Sequence, residues 1–390
     1  MRWLTLVVTS LLVPVAGCSD SEEKPDPPEL SPAKLSCKVD RAPTSSRSGL
    51  GQTSQPIVSG SATPTAAMKL SEGQLKAIGS IRLVYKGKNI LYGSATLIAD
   101  RLVLTAGHVP LDYDRWDGDP ATFDTRLFPT TMVKFVVGND ANNPEKVFDV
   151  EKIIINPEFQ SHVAVEHDLA LLVLKESATK AIPGIETIPV NLAAMTTSAV
   201  GKTIFSGGFG STTCYSQQFS PIRYWAQQEI CEVYGYELGH KSVGQGLYTN
   251  GDSGAGVFMA YPDNITRQIA VISAHADAKC QQTQGTRLDA HADWLRTHLA
   301  GSCKQLDVTA AGSCKGNVAV WCEDDQVVRS DCAAQKLSCG KDTCGQSRCV
   351  NPPTQVEEVC KTLDYFGRCT DEGVLEWCVE GKLQRRDCAH

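Results

Sequence analysis

Three short motifs, widely separated along the chain, carry the residue types of a nucleophilic active site. They read LTAGH at 104–108, HDLALLVL at 167–174 and GDSG at 251–254. A histidine, an aspartate and a serine can act as base, orienting acid and nucleophile when folding brings them together. Glycines beside the serine permit a tight turn whose backbone N–H groups can stabilise an oxyanion. The fold must therefore join three distant segments at one point.

The order His108, Asp168, Ser253, with these flanking residues, resembles the chymotrypsin/trypsin family of serine peptidases. The resemblance covers residues 57–300. It implies an all-β domain of two six-stranded antiparallel β-barrels with a C-terminal helix. It also implies a catalytic triad of these three residues, and an oxyanion hole from the N–H groups of Gly251 and Ser253. A family member hydrolyses protein or peptide substrates and needs no cofactor and no metal.

The residue pattern supports this fold class independently of the motifs. From residue 78 onward, short apolar runs alternate with turn signals, which is typical of β-barrel domains. Strands are predicted over 78–85, 89–98 and 101–104. A helix is predicted over 289–299, with one apolar face. The residues of that face are Leu288, Ala292, Leu295 and Leu299.

The resemblance assigns the substrate pocket to Leu247, Ser273 and His275. Leu247 takes the position of the pocket floor, where an acid would select Lys or Arg. Ser273 also takes the position of a serine that supports the triad acid, and His275 replaces a glycine of the pocket wall. We expect a preference for small or medium apolar residues. A preference for Glu, with His275 contacting the carboxylate, is the alternative.

Two further features follow from the resemblance. The IVSG run at 57–60 resembles the start of a mature peptidase chain. Cleavage of a zymogen would then free the Ile57 ammonium to pair with Asp252, although Ile57 could equally belong to the first strand of the domain. Cysteines of the family are replaced at Gly93, Val109 and Thr249, so two of its usual disulfides are missing.

The amino terminus predicts export and attachment to a membrane. Arg2 precedes an apolar run over 3–16, which is too short to span a bilayer and suits a signal peptide over residues 1–18. The VAGC run at 15–18 resembles a bacterial lipobox, so Cys18 is expected to carry a lipid anchor. Ordinary cleavage near Ala16 is the alternative. Residues 19–56 are polar and read as a disordered tether or propeptide.

Sixteen cysteines indicate an oxidising compartment, and eleven of them follow residue 300. The CKQLD run at 303–307 recurs as CKTLD at 360–364, which indicates a module over 303–350 and a truncated repeat over 360–390. Modules this small need disulfides for stability, and their pairing stays open. They could bind a surface ligand, or they could space the enzyme from the membrane. The expected location is the bacterial cell envelope, as an outer-membrane lipoprotein or a form released by proteolysis.

Charge and composition exclude some functions. A net charge of −7 offers no basic surface for nucleic acid. Acidic residues over 112–119 and oxygen ligands over 138–145 could bind calcium, but neither spacing is that of an EF-hand loop. A different class of function also remains: a catalytically inactive, peptidase-like binding protein or adhesin that acts through its cysteine-rich modules.

Overall fold

The structure is a computed structural model. It describes residues 57, 60–112, 127–159, 166–211, 218–246, 248–275, 282–342, 344–352, 363, 367–370, 374–379 and 382–387. Cys18, Leu247 and the segment 19–56 lie outside these residues. The helices of the described part are α1 Glu72–Lys76, α2 Ala178–Ala181, α3 Ala292–Leu299 and α4 Ser302–Gln305. Within that part, no helix has the length and apolar character needed to cross a membrane.

The first half of the peptidase region forms a closed antiparallel barrel. Its strands are β1 Ile78–Tyr85, β2 Lys88–Ala99, β3 Leu102–Thr105, β4 Val133–Val137, β5 Lys146–Ile155 and β6 Ala170–Leu174. They are joined in the order β1-β2-β3-β6-β5-β4. The side chains of β5 alternate between the barrel interior and the solvent. Phe148 and Val150 are buried, whereas Val147 and Asp149 point to solvent. Phe148 stacks on Phe135 of β4 inside the barrel.

The second half repeats this arrangement. Its strands are β7 Thr203–Gly208, β8 Tyr224–Tyr234, β9 Glu237–Gln245, β10 Gly256–Ala260, β11 Thr266–His275 and β12 Gln282–Arg287. The closed order β10-β11-β12-β9-β8-β7 is the order of the first barrel applied to these six strands. The predicted fold of two six-stranded antiparallel barrels is therefore confirmed.

The C-terminal helix of the domain connects the two barrels. α3 follows β12 of the second barrel, yet its buried face packs in the main cluster of the first barrel. Three of the four residues predicted for that face, Ala292, Leu295 and Leu299, lie in the helix, and the fourth, Leu288, is buried in the same cluster just before it. The helix is shorter than predicted, because residues 289–291 form a 3₁₀ turn before it.

Disulfide-rich segments follow the peptidase domain. Strands β13 Ser313–Lys315, β14 Val318–Glu323 and β15 Gln326–Asp331 form a three-stranded sheet, and β16 Ser338–Lys341 pairs with β17 Ser347–Val350. Three disulfides are described, Cys303–Cys322, Cys314–Cys339 and Cys332–Cys349. Further along, β18 Arg368–Cys369, β19 Val374–Val379 and β20 Lys382–Asp387 form a second sheet with the same strand order as the first.

The first of these segments is packed against the peptidase domain. The Gln326 side chain forms two hydrogen bonds with the backbone of Val190, accepting from its N–H at 2.6 Å and donating to its C=O at 3.0 Å. Trp321 is buried with Val328 against Ile265 of the second barrel region. Paired polar contacts and a shared apolar cluster hold the segment in a fixed position on the enzyme.

Candidate active site

Strand pairing brings the candidate base and the candidate acid together. β3 and β6 are neighbours, and Thr105 at the end of β3 pairs with Ala170 at the start of β6. His108 follows Thr105 by three residues, and Asp168 precedes Ala170 by two. Antiparallel pairing therefore places both side chains at the same end of the barrel.

Asp168 is fully buried and holds His108 through two hydrogen bonds. Its Oδ1 accepts from the backbone N–H of His108 at 2.8 Å, and its Oδ2 accepts from the Nδ1–H of the ring at 2.6 Å. Ser273 Oγ also donates to Oδ2. With Nδ1 occupied as a donor, the lone pair of the neutral ring lies on Nε2, which is the atom that a general base uses.

Opposing effects act on the protonation of His108. Burial lowers the pKa of His108, whereas the charge of Asp168 and its hydrogen bond raise it. The net result is a pKa above the ordinary value of 6.5. The imidazolium form of His108 is thereby stabilised by the same carboxylate that orients the ring.

The serine turn is bonded to the first barrel through Ser94 of β2. The N–H of Ser94 donates to the C=O of Ser253 at 2.9 Å, and Ser94 Oγ donates to the C=O of Gly251 at 3.1 Å. The same Oγ accepts from the N–H of Phe209 in the second barrel at 3.1 Å. One buried serine thus connects both barrels to the turn that carries Ser253.

Gly254 allows the turn to come this close. Its φ is +86°, and a Cβ there would lie 2.1 Å from Thr105 Oγ1 and 2.2 Å from the C=O of Ser94. No side chain fits such a space. The serine turn therefore lies directly against the end of β3, from which the chain continues to His108.

The backbone N–H groups of Gly251 and Ser253 have no acceptor among the residues that the structure describes. Within the described residues, neither group donates a hydrogen bond, whereas the neighbouring N–H groups of Asp252 and Gly254 donate to Thr249 and Ile272. Free N–H groups on either side of a structured turn are able to bind an oxyanion.

Asp252 lies under the turn with its carboxylate fully buried. Oδ1 accepts from the N–H of Gly210 at 2.8 Å, and Oδ2 accepts from the N–H of Thr249 at 3.0 Å. A Cβ on Gly210 would lie 2.2 Å from Oδ2, so the carboxylate occupies the space of a side chain. Burial raises the pKa of Asp252 to about 7, although the two hydrogen bonds act in the opposite direction. Among the described residues, no cationic side chain lies within 4.0 Å of this carboxylate.

Ile57 is fully buried in the core of the second barrel, with φ at +42°. Its side chain lies beside Gly246, since a Cβ added to Gly246 would be 3.1 Å from Cγ2 of Ile57. In the uncleaved chain its nitrogen belongs to a peptide bond, so it carries no charge for Asp252. The isoleucine is therefore already inside the barrel before any cleavage.

The positions of the missing family disulfides are filled in two different ways. A Cβ on Gly93 would lie 3.0 Å from Val109 Cγ1, so these residues are in contact without a bond between them. Thr249 is buried, and its Oγ1 is 3.0 Å from Ser211 Oγ. Together with its N–H bond to Asp252, this gives Thr249 a structural role that the sequence did not predict. Cys231 is disulfide-bonded.

Of the predicted pocket residues, Ser273 is placed with its hydroxyl on Asp168, and His275 is the last residue of β11. Leu247 lies outside the described residues. Tyr248, next to it, is fully buried, and burial raises the pKa of its phenol. Nothing in the residues around Tyr248 identifies it as a core residue, because its neighbours are mostly glycine and polar residues.

Two antiparallel barrels, with a hydrogen-bonded histidine and aspartate beside a serine turn, define the architecture of a serine-type peptidase. The family model described as Trypsin matches residues 73–295, which is more than half of the chain. The chain therefore belongs to the trypsin family, whose members act on protein or peptide substrates. No curated protein matches the chain.

Proposed function

We propose that the protein is a serine endopeptidase with His108, Asp168 and Ser253 as its catalytic triad. The observation that carries the proposal is the buried carboxylate of Asp168, which binds both the backbone N–H and the ring Nδ1–H of His108. A purely structural histidine does not require its ring to be fixed in this tautomer. The serine turn beside it has two free N–H groups, as an acyl-transfer site needs.

The reaction follows from these groups. His108 Nε2 takes the proton of Ser253 Oγ as the oxygen attacks the peptide carbonyl, and the imidazolium then gives that proton to the leaving amine. Water then gives a proton to Nε2 as it attacks the carbonyl of the acyl-enzyme. The bond from that carbonyl to Ser253 Oγ breaks, the imidazolium returns the proton to Oγ, and the second product leaves as a carboxylic acid that ionises in water. The N–H groups of Gly251 and Ser253 bind the oxyanion in both steps. Losing one such donor typically costs about 10²–10³ in kcat.

The substrate is proposed to carry a small or medium apolar residue before the cleaved bond. The apolar Leu247 occupies the position at which an acid would select a basic residue, and His275 takes the place of a glycine. The test compares kcat/KM for peptides that differ in this one residue: Ala, Val, Leu, Glu or Arg. We expect the apolar peptides to be cleaved fastest, whereas efficient cleavage after Arg would contradict the assignment. Fastest cleavage after Glu would favour a His275–carboxylate contact instead.

Activation by cleavage before Ile57 is proposed because of the buried environment of the Asp252 carboxylate. A fully buried carboxylate that has two N–H donors and, in the described part of the chain, no cation beside it is only partly compensated. The ammonium freed by cleavage would supply the missing positive charge. A form that begins at Ile57 is expected to have a higher kcat than the full chain, and equal kcat values would refute activation by this route.

Location at a bacterial cell envelope, through a lipid on Cys18, is proposed from the sequence alone. The disulfide-rich segments would then lie outside the cytoplasm, where their bonds persist. In a bacterial host, Cys18→Ser should release the protein from the membrane fraction. Retention of the variant in that fraction would argue against a lipid anchor.

The other candidate is an inactive peptidase-like protein that binds a surface ligand through its C-terminal segments. Hydrolysis of a mixed peptide library by the purified full chain, compared with Ser253→Ala, distinguishes the two. Cleavage that disappears in the variant supports the peptidase. No cleavage by the full chain or by the form beginning at Ile57 would leave the binding protein as the better account.

A further inference from the structure

Three side chains next to the triad acid converge at one point and have no role in the reaction. Glu158 Oε2 lies 3.4 Å from His167 Nδ1 and 3.6 Å from His291 Nδ1. Each residue has a ligand atom within 4.8 Å of those of the other two. Glu158 follows β5, His167 directly precedes Asp168, and His291 lies in the turn before α3. Their convergence is therefore a product of the tertiary fold.

These distances are those of ligands around a small divalent ion. Zn²⁺ binds imidazole nitrogen and carboxylate oxygen at about 2.0–2.2 Å, so tetrahedral geometry separates two ligand atoms by about 3.3–3.6 Å. A direct hydrogen bond between the same atoms would be shorter, at about 2.7–2.9 Å. The separations from Glu158 Oε2 thus fit an ion between the groups better than a bond between them.

The hydrogen bonds of Asn156 determine the tautomer of His291, and so whether the ring nitrogen that faces the Glu158 carboxylate carries a lone pair. Its Oδ1 accepts from the N–H of Glu158 at 3.2 Å, which leaves its Nδ2 as the donor to His291 Nδ1, also at 3.2 Å. His291 Nδ1 therefore carries a lone pair, and that lone pair lies near a carboxylate oxygen. Two electron-rich atoms side by side are unfavourable unless a cation joins them. A bound ion would replace the long contact from Asn156.

His167 supplies a second, independent indication. Its Nδ1 is buried and has no hydrogen-bond partner among the described residues. The backbone at His167 has φ at +57°, and the ring lies 3.8 Å from the ring of Tyr236 between centroids. An unpaired buried nitrogen and a left-handed backbone are both unfavourable, and they persist where a functional arrangement requires them.

The surroundings allow an ion to enter. The Glu158 side chain is 62% exposed, whereas that of His291 is 1% exposed, so the cluster is open on the carboxylate side alone. The positive charge of Arg287 acts on His291, but that charge is paired with Asp289 at 2.6 Å. The open side leaves room for a water molecule as the fourth ligand.

We propose that Glu158, His167 and His291 form a binding site for a divalent transition metal such as Zn²⁺. His167 and Asp168 are consecutive, so the ion ties the turn that presents the triad acid to both α3 and the end of β5. Metal binding then stabilises the folded enzyme at the turn from which Asp168 reaches His108. The site is separate from the triad, and its occupation is measured without any assay of hydrolysis.

The test titrates the oxidised full chain with ZnCl₂ by calorimetry, and with CoCl₂ by visible absorption. We expect one ion per chain, an increase in Tm with added Zn²⁺, and the d–d bands of four-coordinate Co²⁺. Glu158→Gln and His167→Asn should each weaken binding at least about 10-fold, as loss of a ligand does. Asn tolerates the left-handed backbone of residue 167, so this variant is expected to fold.

Glu166→Gln is the matched control, because it removes a neighbouring exposed carboxylate that is not part of the cluster. It should bind Zn²⁺ as the wild type does. Absence of binding by the wild type would overturn the proposal. Equal binding by the wild type, Glu158→Gln and His167→Asn would also overturn it, since the ion would then lie elsewhere.

Discussion

The buried carboxylate of Asp252 predicts that the uncleaved protein loses stability as the pH rises. Burial raises the pKa of Asp252 from 3.8 to about 7 in the folded chain. A proton is then bound more tightly in the folded state than in the unfolded one, so the contribution of this carboxyl group to stability is greatest below about pH 4 and is lost as the pH rises through about 7. At about 1.4 kcal/mol per pKa unit, the change is about 4 kcal/mol.

Asp252→Asn isolates this contribution. Asn carries no charge, but its amide NH₂ only donates and would face the N–H of Gly210 or of Thr249, so the variant is expected to be less stable than its parent near pH 4. Between about pH 4 and about pH 8 the difference in stability between the two proteins should shift by about 4 kcal/mol in favour of the variant, because the variant has no charge to bury. All other titrating groups cancel in the difference.

The assay is urea unfolding of the full chain, followed by tryptophan fluorescence, with Ser253→Ala in both proteins to prevent self-cleavage. Asp293→Asn, which removes a fully exposed carboxylate, serves as the control. The control should change stability by less than about 0.5 kcal/mol at each pH. A difference between Asp252→Asn and its parent that stays constant from about pH 4 to about pH 8 would refute the reasoning.

Three further predictions concern the triad, the serine turn and the C-terminal segment. Asp168→Asn should lower kcat by about 10⁴. The acid limb of the pH profile of kcat/KM, which in the wild type lies above pH 6.5, should move to lower pH in this variant. An unchanged pH profile would contradict the pairing of His108 with Asp168. Gly254→Ala should destabilise the domain by more than about 3 kcal/mol in urea unfolding, because the Cβ of the alanine has no space. A variant as stable as the wild type would show that the serine turn is packed less tightly than described. Gln326→Ala removes both hydrogen bonds to Val190, so limited proteolysis should cut the chain between residues 304 and 350 faster than in the wild type. Equal rates of cleavage would argue against docking of this segment on the peptidase domain.

Local patterns in the sequence were sufficient to predict several strands and the C-terminal helix, whereas the two barrels and the triad were implied by the resemblance to the trypsin family. The strand from Ile78 to Tyr85 has the predicted bounds, and the buried face of α3 is the predicted one. Both depend on periodicity over a few residues, which the sequence displays directly. The turn around Ser253 was predictable from adjacent residues as well, since the glycines of the motif indicate a turn.

Contacts between distant segments were not predictable in the same way. Nothing near Ser94 indicates that its hydroxyl joins the two barrels, and nothing near Thr249 indicates that its N–H binds Asp252. The cluster of Glu158, His167 and His291 has no metal-binding spacing along the chain, because three separate elements supply it. The disulfide pairing was equally open, since seven cysteines between 303 and 349 permit many arrangements.

The central claim is that Ser253 is an activated nucleophile, and labelling with a fluorophosphonate probe tests it most directly. The comparison uses the full chain, a form beginning at Ile57 and Ser253→Ala, with the labelled peptide identified by mass spectrometry. The account predicts a label on Ser253 in the form beginning at Ile57, weaker labelling of the full chain, and none in the alanine variant. If the full chain and the form beginning at Ile57 are labelled equally, the protein is still a serine peptidase, but activation by cleavage before Ile57 is refuted. If neither form is labelled at Ser253, the claim of a working triad is contradicted.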